Sequence, residues 1–139
     1  MSVETYFRTI CVLVAIGAAI FLVASLITGR TRVARRIVDR NAEPRVYWGS
    51  IGKAAILITG LAMTPFLPPQ REGLPFVFLG LFGGQLFEML VSGVVPMPAA
   101  AYARATQPRL YWRWVAFHAV VVLLLLSLLI VQQVRPTIL

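Results

Sequence analysis

The sequence predicts an all-α integral membrane protein in which four transmembrane helices form two tandem helical hairpins. Two observations support this fold class: an unusually apolar composition and a phrase of nine residues that occurs twice. The chain has 139 residues, of which 59% are hydrophobic and 13% are charged. A soluble domain of this length cannot bury so much apolar surface, because small domains have a high ratio of surface to volume. We therefore expect a single four-helix transmembrane domain over residues 1–139.

The repeated phrase reads RNAEPRVYW at residues 40–48 and RATQPRLYW at residues 104–112, so the copies lie 64 residues apart. The match extends backwards without a gap, since Thr28-Gly29 aligns with Ser92-Gly93. A period this long indicates two copies of one supersecondary unit. We predict that repeat A covers about residues 5–67 and repeat B about residues 69–132, each a pair of helices joined by a basic loop.

Four stretches approach the roughly 20 apolar residues that cross a hydrocarbon core of about 30 Å. The predicted spans are about residues 9–28, 48–67, 74–95 and 114–132. A chain in lipid must satisfy its own backbone hydrogen bonds, and no strand-like alternation is present, so each span is predicted to be a helix. Prolines and a glycine crowd the segment between spans two and three: Pro65, Pro68, Pro69, Gly73 and Pro75. They predict a tight turn between antiparallel helices.

The first span does not have the pattern of a signal peptide. Its apolar run is long, and the basic cluster follows the run instead of preceding it. We expect it to insert with its N-terminus outward. Cys11 is the only cysteine, which excludes an internal disulfide and a multi-cysteine metal site.

The first basic loop, about residues 30–45, is predicted to be helical for most of its length. Val33 and Ile37 lie four residues apart, and Arg35 and Asp39 have the i, i+4 spacing of a helical ion pair. Because the residue before a proline avoids the helical region, Pro44 is expected to end this loop segment, as Pro108 ends its counterpart.

The residues after each proline are predicted to anchor the chain at the membrane–water boundary. They are Arg45, Tyr47 and Trp48 in the first copy, and Arg109, Tyr111 and Trp112 in the second. Aromatic rings suit this boundary because they combine an apolar body with a polar tip. A ligand-binding role for the phrase is the alternative.

The basic residues lie mainly on one side of the predicted membrane, and the net charge is +8. The arginines in or beside the first and third loops are Arg30, Arg32, Arg35, Arg36, Arg40, Arg45, Arg104, Arg109 and Arg113. An excess of Lys and Arg in short loops marks the cytoplasmic face. Both basic loops are therefore predicted to be cytoplasmic and both termini to be periplasmic, in a bacterial inner membrane. We expect the arginines to contact anionic lipid headgroups and not nucleic acid.

Small residues predict close packing between the first and third spans. The third span contains Gly80, Gly83 and Gly84, and the first is rich in alanine and glycine. Close backbone approach is the main force that associates helices in lipid. Since these spans are counterparts in the repeat, we expect them to form the inner contact, with spans two and four outside.

A polar cluster is predicted within the membrane. Lys53, Glu88 and His118 fall inside apparent spans, where a charge costs roughly 3 kcal/mol on insertion scales. Counting about 1.5 Å per residue from the predicted span ends places all three at a similar depth. We predict that Glu88 faces the interior and pairs with Lys53, His118 or both, with Gln85 on the same face. For Lys53 the alternative is that its long stem reaches the headgroups.

The sequence favours a non-catalytic accessory, anchoring or assembly subunit of a larger membrane complex, with other membrane subunits or a second copy as partners. No nucleophile–base spacing, paired metal ligands or Gly-rich phosphate loop is present, so we expect no enzyme activity, metal or cofactor. Asp39 and Glu43 lie four residues apart, but the surrounding arginines favour ion pairs over a metal ion. The alternative function is a small oligomeric transporter or channel in which Glu88 is a proton- or cation-coupling site. If Glu88 has no such role, we expect it to form a structural salt bridge.

Overall fold

Four long helices dominate the computed structural model, which describes residues 3–33, 36–66, 74–96 and 101–134. The helices are α1 (Val3–Thr28), α2 (Pro44–Met63), α3 (Leu74–Ser92) and α4 (Pro108–Val134). A 3-10 turn at Thr64–Phe66 continues α2. Each long helix is long and apolar enough to cross a membrane, so the predicted all-α class fits. Most of the predicted proline-rich turn lies at residues 67–73, outside the described residues.

Short β-hairpins occupy the two basic loops, and the predicted loop helix is wrong. The first hairpin pairs β1 (Arg30–Val33) with β2 (Arg36–Asp39), and the second pairs β3 (Val94–Pro96) with β4 (Ala101–Ala103). Val33 and Ile37 lie on different strands, where Val33 pairs with Arg36 and Ile37 pairs with Arg32, so their four-residue spacing does not mark one helical face. β-branched residues favour the strand. Arg35, which was predicted to pair with Asp39, lies outside the described residues.

Pro44 and Pro108 begin helices instead of ending loop segments. Proline suits the first helical position because its fixed φ is already helical and its missing N–H would have no partner there. Helices α2 and α4 therefore start several residues before the predicted spans, and the Tyr-Trp pairs lie in their first turns. Helix α3 ends at Ser92, before the predicted Val95.

The closest packing in the molecule joins α2 to α3, with α1 packed on α2 and α4 packed on α3. The predicted inner contact between the first and third spans is therefore wrong. Glycines of α3 face glycines of α2: a Cβ atom added to Gly60 would lie 2.8 Å from the carbonyl oxygen of Phe76 and 3.0 Å from the Cα of Gly80. A Cβ added to Gly84 would lie 2.9 Å from the carbonyl oxygen of Lys53. Gly83, by contrast, approaches only the side chain of Ile56.

The apolar side chains of the two outer helices point mainly away from the protein. On α1, Ile20 and Ile27 are exposed, and on α4, Leu124 and Ile130 are exposed. The buried core consists of small clusters, such as Cys11 and Ala15 of α1 against Leu61 of α2. An interior this small, surrounded by apolar surface, is the arrangement expected of a bundle whose solvent is lipid.

Candidate functional site

A tyrosine clasp closes each helical hairpin. The Tyr47 hydroxyl donates to the carbonyl oxygen of Ser25 at 2.8 Å, and the Tyr111 hydroxyl donates to that of Met89 at 2.9 Å. Both rings are fully buried. The sequence predicted these tyrosines as boundary anchors, but their polar tips are not exposed: each hydroxyl bonds to a carbonyl in the last turn of the preceding helix, and the Met89 carbonyl also accepts the Gly93 N–H at 2.9 Å.

The two loops share further local geometry at the same 64-residue offset. Gly29 and Gly93 end their helices with φ of 66° and 71°, in the left-handed region that glycine enters without strain. The Arg40 N–H donates to the Gly29 carbonyl at 2.8 Å, and the Arg104 N–H donates to the Gly93 carbonyl at 2.8 Å. These bonds close each β-hairpin at its base, beside its tyrosine clasp.

Equivalent apolar side chains surround the two tyrosines. Val38 and Ile51 form a buried cluster with Tyr47, and Leu22 packs against it. Around Tyr111 the same positions are filled by Tyr102, Val115 and Leu86, with Met89 and Val95 also buried there. Each β-hairpin is thus folded back onto the ends of its own two helices, which positions the arginines of the first β-hairpin and Arg104, which follows the second.

Carboxylates neutralise part of the charge on the first β-hairpin. Arg30 Nε lies 3.4 Å from Asp39 Oδ2, and the Arg36 guanidinium binds both carboxylate oxygens of Glu43 at 2.9 and 2.8 Å. The backbone N–H of Asn41, together with Arg30, holds the pKa of Asp39 below its usual value. Both carboxylates are therefore engaged by arginines and are not arranged as a metal site.

The second β-hairpin presents arginine beside an exposed indole. The guanidinium carbon of Arg104 lies 5.2 Å from the ring centroid of Trp112, within the range of a cation–π interaction. Trp48 and Trp112 are 47% and 46% exposed, and each packs edge-on against its neighbouring tyrosine at 5.2 Å. The tryptophans, unlike the tyrosines, therefore have the exposure that a boundary anchor requires, and Arg45 and Arg109 are exposed beside them.

An ion pair joins the two inner helices, as the sequence predicted. Lys53 Nζ lies 2.8 Å from Glu88 Oε2. Glu88 is only 2% exposed, whereas the Lys53 side chain is 37% exposed. Glu88 lies four residues before the end of α3, about 6 Å at the rise of an α-helix. The lysine stem thus reaches from deeper in α2 towards the basic end of the bundle.

His118 and Gln85 do not join this pair. His118 Nδ1 lies 2.9 Å from the Trp114 carbonyl oxygen, and its ring packs against Phe82 at 5.6 Å. Phe82 and Glu88 are six residues apart, about 9 Å along α3. The predicted common depth fails for His118 because α3 ends earlier, and α4 begins earlier, than the predicted spans. In the described part of the chain, no hydrogen bond links Gln85 to Lys53 or Glu88, and no group of three His, Cys, Asp or Glu could hold a metal.

Comparison with known proteins adds no assignment: no family model, curated protein or solved structure matches this chain. The described residues combine apolar outer helices, a basic end and an ion pair between the inner helices. Sequence reasoning missed Gly49 and Gly60 as the α2 positions that approach the α3 backbone, at Glu88 and at Gly80, although their eleven-residue spacing, three helical turns, places both on one face of α2.

Proposed function

We propose that the chain is a non-catalytic multi-pass membrane protein that serves as an accessory, anchoring or assembly subunit of a larger membrane complex. The observation that carries this proposal is the apolar exposure of α1 and α4 on the two flanks of a narrow glycine-packed centre. In membranes, helices associate through close packing, so apolar flanks offer surfaces to partner helices as well as to lipid.

The outer face of α1 supports a protein partner. A Cβ added to Gly17 would meet nothing within 4 Å, and Ala24, seven residues on, is exposed on the same face. Small residues let another backbone approach closely, yet among the described residues these two are exposed and pack against no other helix. A second membrane subunit, or a second copy of the chain, would use them.

The same proposal includes the topology and the membrane. Each helical hairpin is one copy of a duplicated unit, both β-hairpins and the arginines beside them face the cytoplasm, and both termini face the periplasm of a bacterial inner membrane. The repeated hydrogen bonds at Tyr47 and Tyr111 support the duplication, and the arginines at one end of the bundle support the orientation.

The proposal is tested by site-specific photocrosslinking in the producing cells. A photoreactive residue at Ile20, on the Gly17 face of α1, is expected to form one discrete adduct with a membrane protein. The same probe at buried Ala15 is the matched control and is expected to form none. Adducts at neither Ile20 nor the exposed Leu124 of α4, together with purification as a single species, would contradict a subunit role.

A second candidate function is a small oligomeric transporter or channel, favoured by the deeply buried carboxylate of Glu88 beside Lys53. A carboxylate at membrane depth is a common element of proton coupling. Liposome flux of the wild type against Glu88→Gln tests this candidate. Flux that depends on Glu88 supports it, and equal flux, or none in either protein, rejects it.

A further inference from the structure

Three arginines surround one exposed tryptophan at the start of α4. Arg104 lies over the Trp112 ring, with its guanidinium carbon 5.2 Å from the ring centroid. Arg109 and Arg113 lie three residues before and one residue after Trp112, so helical periodicity places the three α4 side chains within an arc of about 100°. All four residues are exposed. We call this set the Trp112 surface.

The Trp112 surface has no acidic counterpart. The sequence contains no Asp or Glu after Glu88, and Glu88 is bound to Lys53. Among the described residues, none of its three arginines forms a salt bridge. The first β-hairpin differs, because Asp39 and Glu43 pair with Arg30 and Arg36, although Arg32, Arg40 and Arg45 form no salt bridge among the described residues. In the part of the chain that the structure describes, no carboxylate pairs with the arginines beside Trp112.

Packing explains why only the second copy carries this arrangement. The counterpart of Arg113 is Gly49, where an added Cβ would lie 3.2 Å from the carbonyl oxygen of Glu88. Gly49 is buried because α2 is an inner helix pressed against α3. The corresponding face of α4 has no neighbouring helix, so a long charged side chain fits there.

We propose that the Trp112 surface binds the phosphate of an anionic phospholipid, an inference that rests on the proposed membrane-spanning role and names its lipid ligand. Guanidinium groups donate forked hydrogen bonds that match phosphate oxygens. The half-exposed indole suits the glycerol level of a lipid, and the exposed Phe117, one turn deeper in α4, continues the apolar surface towards the acyl chains. This continuity with a lipid-facing helix favours a phospholipid over an acidic peptide.

Lipid binding to the purified full-length chain tests the proposal, with native mass spectrometry of detergent complexes titrated with phosphatidylglycerol. Arg109→Gln combined with Arg113→Gln is expected to weaken binding about tenfold or more, since each arginine near a lipid surface contributes substantially. Arg40→Gln combined with Arg45→Gln, at the first-copy counterparts of Arg104 and Arg109, is the control and is expected to weaken binding much less, because Gly49 stands there in place of a third arginine. Arg104 lies outside the helices. Arg104→Gln is therefore expected to weaken lipid binding even when Arg109 and Arg113 are unchanged.

Several outcomes would overturn the assignment. Equal losses in the two double variants would exclude a specific site at the Trp112 surface, and equal binding of phosphatidylcholine would exclude selectivity for an anionic phospholipid. Displacement by millimolar inorganic phosphate would indicate a soluble anion, and preferential binding of a polyglutamate peptide would indicate an acidic protein partner. Because the assay uses the isolated chain, it is independent of the crosslinking result, and either proposal can fail alone.

Discussion

Tyr47 and Tyr111 connect the end of one helix to the start of the next, and each hydroxyl has a single buried acceptor. Replacing either with phenylalanine keeps the ring but removes the donor. We expect Tyr47→Phe and Tyr111→Phe each to lower the free energy of unfolding by about 1 kcal/mol. Unfolding in mixed micelles by SDS titration measures this change. Tyr6→Phe, at an exposed ring of α1, is the control. Equal stability of all three variants would show that the hydrogen bonds of Tyr47 and Tyr111 do not stabilise the fold.

Thr31 and Val95 occupy equivalent positions in the two β-hairpins, and the comparison isolates one hydroxyl. Thr31 is 3% exposed, and its Oγ1 has no hydrogen-bond partner among the described residues. Valine has nearly the same shape, so Thr31→Val is expected to raise the free energy of unfolding by about 1 kcal/mol. The reverse change, Val95→Thr, should lower it. Destabilisation by Thr31→Val in the same SDS titration would show that the hydroxyl has a partner.

Between the elements, the α2–α3 contact depends on glycine. A methyl group on Gly60 would collide with the backbone of α3, which cannot yield without separating the helices. Gly60→Ala is therefore expected to destabilise the protein by about 1–3 kcal/mol. Gly17→Ala adds the same methyl group to open space on α1 and should be neutral or slightly stabilising. Similar melting temperatures for the two variants in detergent would contradict this packing.

The ion pair at the same interface predicts a non-additive mutant series. Glu88→Leu leaves Lys53 without its partner, and Lys53→Met leaves a buried carboxylate uncompensated. Each single change is expected to cost about 1–3 kcal/mol, less than for a fully buried pair because Lys53 is partly exposed. The double variant should recover most of this loss. A double-mutant cycle of unfolding free energies measures the coupling, and strict additivity would argue against a structural role for the pair.

For the whole molecule, both β-hairpins are predicted to lie on the cytoplasmic side. With Cys11→Ala as background, single cysteines at Asn41 and Thr106 should resist a membrane-impermeant maleimide in intact cells. A cysteine at Glu4, near the other end of the bundle, should be labelled. All three positions are exposed in the structure. Labelling of Asn41→Cys or Thr106→Cys before cell lysis would reverse the proposed orientation.

Several features of the fold could be predicted from local sequence. Long apolar runs predicted the four helices because only a helix satisfies the backbone in lipid. The pairing of Lys53 with Glu88 was predicted because an unpaired charge at depth is costly. The β-hairpins were not predicted, because the four-residue spacing of Val33 and Ile37 was read as one helical face, whereas these residues lie on different strands and Val38 packs in the cluster around Tyr47. The depth predicted for His118 was wrong, because an error of a few residues in a predicted span end shifts the estimated depth by several ångströms.

The sequence by itself determined that the chain forms four apolar helices, that its two basic loops carry the same phrase, and that Lys53 and Glu88 form an ion pair. These properties follow from composition and short-range spacing. Only the tertiary structure decided that α2 and α3 form the centre, that the tyrosines are buried donors, and that Arg113 remains outside while its counterpart Gly49 is enclosed. The physical reason is that equivalent residues of a repeat become different when one copy of a helix is inside the bundle and the other faces outward.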